Sequence, residues 1–133
     1  MPEWKLWRDM AIDSFQAGRT LQGVSDRGAV NRFYYAAYQI CTAFLLYRNL
    51  QPPQEREAWS HAETPELFEE ALIRIISPRD KRRELRRRLE LLYTVRCYAD
   101  YASEYSITVR DAELARKDAG HILRVIEEAL QGA

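Results

Sequence analysis

The sequence predicts an all-α protein, an antiparallel up-and-down bundle of four core helices plus one short extra helix. Three observations lead there. Apolar residues recur at helical spacing along nearly the whole chain, and no sustained apolar/polar alternation marks a strand. The five glycines and five prolines punctuate the chain at a few places instead of pervading it. The connections between helical stretches are short, which makes sequence neighbours antiparallel. A chain of 133 residues supplies one continuous core but not two, so residues 1–133 read as a single domain.

The first helix is expected from Glu3 to Gln22, with Trp4, Trp7, Ala11, Phe15 and Gly18 approximating one face. "GVSDRG" breaks it, and Ser25 or Asp26 can cap the next. The second helix, "AVNRFYYAAYQICTAFLLYRNL", is apolar nearly all round, with Phe33, Ala37, Ile40, Phe44 and Tyr47 on one stripe and Tyr34, Tyr38, Cys41 and Leu45 on the next. Two apolar stripes need cover from two sides, so this helix is central or lies at a subunit interface. "QPPQEREAWSHAE" is a polar loop. Thr64-Pro65-Glu66 then supplies a cap, a proline at the first helical position and an early acid for the short helix "ELFEEALIRII". Ser77-Pro78 repeats the start signal for a fourth helix, roughly Arg79 to Ser103. Thr108, with Asp111 three residues on, caps the fifth, which runs to Leu130 with Ala112, Ala115, Ala119, Ile122, Ile126 and Ala129 facing inward. Gly132 closes it.

Composition narrows the function classes. Hydrophobic residues make up 47% and charged residues 30%, the profile of a globular chain. Acids and bases balance at 20 each, so any affinity for nucleic acid or membrane is local. The start, "MPEWKLWRDM", lacks a signal-peptide layout, and no apolar run approaches the ~18 residues of a membrane span. Cys41 and Cys97 have no CxxC or Cys/His neighbours and read as small buried apolar residues of a reducing cytoplasm. His61 and His121, without HExxH or a carboxylate cluster, make a poor metal site. His61 is expected on the surface of a flexible loop, and His121 as a packing residue.

The chemistry concentrates in the fourth helix. Its first half, "RDKRRELRRR", puts Arg79, Arg82, Arg83, Arg86 and Arg87 on one arc. That arc reads either as a phosphate-backbone contact, since arginines grip phosphate with forked donors, or as a solvated face paired with acids elsewhere. In the second half Leu85, Leu89, Leu92, Arg96 and Ala99 share a stripe, so Arg96 falls at the centre of the apolar face. A buried guanidinium costs several kcal/mol unless paired, and Asp100, one turn on, is the local partner. The pair reads either as a structural ion pair or as the lining of a pocket or dimer groove, with Tyr93 and Tyr101 beside it.

Three stretches in series carry a family resemblance. "NRFYYAAYQICTAFL" (31–45) places a small polar residue and an arginine before a Tyr-Tyr-Ala-Ala-aromatic run, "SHAETPELFEEAL" (60–72) has a Ser-His followed by an apolar segment, and "LLYTVRCYADY" (91–101) contains R-x-x-A-D-Y. In this order and spacing, over roughly 29 to 130, the chain resembles the small stand-alone bacterial and archaeal HEPN domains. The resemblance implies a HEPN-like four-helix core, usually dimeric, often encoded beside a minimal nucleotidyltransferase. Many HEPN proteins are metal-independent endoribonucleases, and several are toxins restrained by that partner. Their catalytic motif is an arginine followed a few residues later by a histidine on the third core helix, two copies meeting across the dimer. Arg96 matches the arginine, whereas Asp100 stands where the histidine would serve. An imidazole with an ordinary pKa near ~6.5 gives and takes protons at neutral pH, which a carboxylate near ~3.9 does not. Tyr101 lies close to a tyrosine that the partner enzyme nucleotidylates in toxin relatives.

The expectation is therefore a nucleotide- or RNA-binding protein of a two-gene, toxin–antitoxin-like system, with metal-independent ribonuclease activity left open. Arg96, Asp100 and Tyr101 would form its reactive centre, and Asn31, Arg32, Arg82, Arg83, Arg86 and Arg87 its nucleotide or RNA contacts. No metal, cofactor or membrane is expected; the expected setting is a cytoplasmic homodimer with a nucleotidyltransferase partner. Two rivals stand beside this. One is a non-catalytic interaction module in which Arg96–Asp100 specifies dimer register, and the other is an all-α nucleic-acid binder using only the arginine-rich helix.

Overall fold

The computed structural model describes residues 2–132. It forms an all-α bundle, with no strand among those residues. The helices are α1 (Glu3–Leu21), α2 (Asp26–Tyr47), the short α3 (Thr64–Ala71), α4 (Arg79–Tyr101) and α5 (Val109–Gln131). Among the described residues no helix is long and apolar enough to cross a membrane.

The two apolar stripes of α2 place it at the centre, where it packs against all four other helices. Phe33, Tyr34, Ile40, Phe44 and Leu45 are fully buried there. Against it α4 turns Leu85, Leu89, Leu92, Arg96 and Ala99, the stripe that helical phase gives. From α5 come Ala112, Ala115, Ala119, Ile122 and Ile126, with Leu130 rather than Ala129 as the last buried residue. Helix α1 closes on α2 at Gly18, where the Phe33 ring occupies the space a Cβ would need, 2.6 Å away. Cys41, buried, and Cys97, half-buried, are both free thiols.

Helix ends depart from the expected ones at several places, through local caps and turns and, at the end of α4, through a side chain from another helix. Ser25 caps α2 by accepting from the Gly28 N–H at 3.1 Å, so the helix starts three residues before Ala29. It stops at Tyr47 because Asn49 takes a left-handed φ of 64°. Thr64 is the first residue of α3 and not its cap. Ser60 accepts from the Glu63 N–H at 3.1 Å and donates to the Glu63 carboxylate at 2.8 Å, while the Thr64 hydroxyl donates back to the Ser60 carbonyl at 2.7 Å. Beyond Ala71 the chain tightens into a 3₁₀ turn, Leu72–Arg74, instead of running as one helix to Ile76. Arg82 then donates to the Ile76 and Ser77 carbonyls at 2.8 and 2.6 Å. Helix α4 ends at Tyr101, short of Ser103, where Arg27 of α2 reaches across to the Ala99 carbonyl at 2.8 Å and the Tyr98 carbonyl at 3.2 Å. The α5 cap matches its local signal: Asp111 N–H donates to the Thr108 hydroxyl at 3.1 Å, and Thr108 N–H to the Asp111 carboxylate at 2.9 Å.

Candidate functional site

The second half of α4 lies against the tyrosine-rich first half of α2, with the loop before α3 alongside. At that junction the Arg96 side chain is only 10% exposed. Its Nε donates to Asp100 Oδ2 at 2.8 Å, and its Nη2 donates to the Tyr35 hydroxyl at 3.0 Å and the Tyr101 hydroxyl at 3.5 Å. The guanidinium carbon lies 5.2 Å from the Tyr35 ring centre, 5.5 Å from that of Tyr101 and 5.8 Å from that of Tyr34. Burial by itself would lower the Arg96 pKa, but Tyr35, Asp100 and Tyr101 outweigh it and raise it. The guanidinium is therefore a fixed cation at every physiological pH.

One edge of that cation is open. Nη1 makes no hydrogen bond among the described residues, and it is not among their fully buried unpartnered polar atoms, which are Arg88 Nε and Glu127 Oε1. It therefore meets solvent. The opposite edge is anchored through a relay: Asn31 Nδ2 donates to the same Asp100 Oδ2 at 3.0 Å, and Asn31 Oδ1 accepts from Arg32 Nε at 2.9 Å and Arg32 Nη2 at 2.7 Å. Arg32 also lies 5.1 Å over the Tyr35 ring. Asn31, Arg32, Arg96, Asp100 and Tyr101 thus converge on one spot, with the Tyr101 ring 76% exposed at its rim.

The arginine stripe of α4 does not join them. Arg82 is committed to the carbonyls that follow the 3₁₀ turn. Arg86 pairs with Glu69 of α3 at 2.7 Å, and Arg83 approaches the same carboxylate at 3.9 Å. Arg87 lies at a shallow groove between α4 and α5 with Glu84 and Asp118. Most of this stripe is a paired face. A concavity of about 630 Å³ lies between α1, α4 and α5, where Arg88, Arg116, Lys117, His121 and Arg124 gather around Phe15.

His61, expected on the surface of its loop, reaches the surface at one edge and packs the rest of its ring inward. Its ring sits half-buried among tyrosines, 4.5 Å centre to centre from Tyr38, 5.5 Å from Tyr34, 5.6 Å from Tyr93 and 6.0 Å from Tyr35. Tyr34 and His61 Nδ1 share a hydrogen bond of 2.5 Å. Burial, and then the Arg96 charge, push the His61 pKa below its ordinary value, so the imidazole is neutral at neutral pH. Burial likewise raises the Tyr34 hydroxyl far above the usual phenol range. What places His61 here is the neighbouring Trp59, buried, whose carbonyl accepts from the Tyr38 hydroxyl and pins the loop to α2. The Ser-His pair inside an otherwise polar loop was the one signal in the sequence. His121, the other imidazole, lies half-buried beside Arg88 and bonds Arg124 at 3.2 Å.

A site of this kind fits an anion. It offers a preorganised cation with free N–H donors, aromatic faces that bear no competing charge, and an acid already occupied in holding the cation. Among the described residues no group of three or more His, Cys, Asp or Glu side chains is placed to hold a metal ion. No family model matches the chain, and no curated protein matches it.

Proposed function

We propose that this chain is a HEPN-type nucleotide- or RNA-binding protein that takes a phosphate at Arg96. The observation that carries the reading is the environment of that guanidinium: nine-tenths buried, ringed by Tyr34, Tyr35 and Tyr101, with Nε and Nη2 held and Nη1 free. Burying an arginine so thoroughly costs several kcal/mol, and a purely structural pair would engage both ends of the fork. The exposed Tyr101 ring suits stacking on a base, as single-stranded nucleic acids use.

Within this reading the protein is a cytoplasmic homodimer and the RNA-directed member of a two-gene, toxin-like system, with a minimal nucleotidyltransferase as its partner and Tyr101 as the side chain open to that enzyme. Binding is favoured over cleavage by the state of Asp100. Its Oδ2 accepts from both Arg96 and Asn31, so Asp100 holds the cation in place, and a carboxylate is a poorer proton shuttle than the imidazole of the family motif. Were cleavage retained, Arg96 would stabilise the charged phosphorane.

A single-stranded RNA oligomer, titrated against wild type and Arg96→Ala with cleavage followed in the same samples, tests this. Loss of a charge-assisted contact should weaken binding roughly 10- to 100-fold. Equal binding by both proteins would remove Arg96 from the function.

A second reading has its own observation. Leu91 and Leu114 are exposed over an apolar groove of about 340 Å³ that they line with Leu92, Val95 and Ala115 between α4 and α5. A non-catalytic dimeric module would use such a face, with Arg96–Asp100 as a structural pair. In that case Arg96→Ala leaves RNA binding unchanged and Leu91→Glu changes the oligomeric state.

A further inference from the structure

The Tyr34 hydroxyl dictates which nitrogen of His61 carries the proton. Tyr34 is 1% exposed, so its O–H has to find its acceptor inside the protein. Among the described residues the single partner of that hydroxyl is His61 Nδ1. Because burial keeps the phenol protonated, the hydroxyl donates and Nδ1 accepts. A neutral imidazole whose Nδ1 accepts carries its hydrogen on Nε2. Nε2 makes no hydrogen bond among the described residues and is not one of their buried unpartnered atoms, so its N–H faces solvent.

His61 lines a cleft of about 270 Å³ with Ala62 and Pro65 at the start of α3 and Glu90, Tyr93 and Thr94 on α4. This cleft adjoins the Arg96 site through shared rings. The imidazole centre and the guanidinium carbon lie 6.0 and 5.2 Å from the Tyr35 centre, and 5.5 and 5.8 Å from that of Tyr34. Glu90, the carboxylate on the cleft wall, is drawn to Arg86 Nε at 3.6 Å.

We propose that His61 is a second ligand-binding residue of the Arg96 site, presenting a fixed Nε2–H donor to an oxygen or ring nitrogen of the nucleotide whose phosphate sits at Arg96. This rests on the reading of Arg96 as the phosphate group's partner. It also adds a constraint on the chemistry. With the Nδ1 lone pair occupied by Tyr34 and Nε2 already protonated, the ring has no lone pair with which to take a proton from a 2′-hydroxyl. His61 therefore recognises the ligand and does not stand in for the histidine missing at position 100.

Two measurements on the full chain decide it, with 5′-AMP as the probe. Long-range ¹H–¹⁵N correlation spectra should give the Nε2–H tautomer for His61 at pH 7.5, converting in Tyr34→Phe to a mixture; an Nδ1–H tautomer in wild type would overturn the proposal. In titrations with 5′-AMP, His61→Ala should weaken binding roughly threefold to tenfold, the loss of one neutral hydrogen bond. His61→Gln, whose amide can accept from Tyr34 and still donate outward, should stay within about twofold of wild type. Thermal melts of both variants separate lost contacts from lost folding. If Arg96→Ala loses binding and His61→Ala does not, the His61 proposal fails while the Arg96 reading stands. If wild type itself does not bind 5′-AMP, both fail.

Discussion

Removing Arg96 and Asp100 singly and together is the sharpest test of how α4 holds its buried charge. Asp100→Leu leaves a cation only 10% exposed with two phenol oxygens as acceptors and three rings around it. Breaking a fully buried pair from one side costs about 3–5 kcal/mol. Because Nη1 meets solvent and the rings contribute cation–π attraction, about 2–3 kcal/mol is expected here. Arg96→Met is gentler, since the Asp100 side chain is 23% exposed and keeps its bond from Asn31, so about 1–2 kcal/mol is lost. Additive effects would bring the double variant to about 3–5 kcal/mol of destabilisation. Instead, Arg96→Met with Asp100→Leu places two apolar side chains in an apolar stripe and frees a half-exposed Asn31 to water. It should lie within about 1 kcal/mol of wild type, a coupling of at least about 2 kcal/mol. Urea unfolding followed by circular dichroism reads all four proteins. A double variant as unstable as the sum of its parents would refute the account of Arg96 and Asp100 as one mutually dependent unit.

The glycines give a paired prediction. Gly18→Ala puts a methyl 2.6 Å from the buried Phe33 ring, which also packs on Phe15 at 5.3 Å, and should destabilise by about 1–3 kcal/mol despite alanine's better helix propensity. Gly120→Ala meets Phe15 at an ordinary 3.4 Å and should stabilise by about 0.5–1 kcal/mol; thermal melts that reverse this order would contradict the packing of α1 on α2 and α5. For pH, both histidines have pKa values lowered chiefly by burial. The unfolded chain then binds more protons between the lowered values and about 6.5, so stability is full above about 6.5 and falls as pH drops through that window. Urea midpoints should hold level down to about pH 6.5 and decline below it, His61→Gln and His121→Gln should each flatten the decline, and a flat wild-type profile would refute it. Asp118, whose carboxyl is raised by burial, acts with the opposite sign as it protonates at lower pH.

How much of this was legible in the sequence follows from the reach of each interaction. The all-α class, the central place of α2, the buried stripe of α4, the Arg96–Asp100 pair and the Thr108–Asp111 cap all depend on residues at most one helical turn apart, or on periodicity along one helix. Backbone geometry alone brings such partners together, so spacing in the chain is spacing in space.

The tertiary structure decided the rest, because the partners lie from 14 to 72 residues apart. Only packing of α3 on α4 brings Glu69 to Arg83 and Arg86 and turns a basic stripe into a paired face. Only packing of α2 on α4 sends Arg27 to the end of α4 and Tyr35 to Arg96. His61 is the clearest case. Its loop is polar and carries two prolines, which composition reads as exposed, yet Trp59 is buried and its carbonyl is bonded to Tyr38, which draws the imidazole in beside Tyr34. A side chain's protonation, tautomer and partner are set by what surrounds it in three dimensions. The sequence therefore determined which helices form and that α4 would bury Arg96, while the packing of those helices chose what that charge faces.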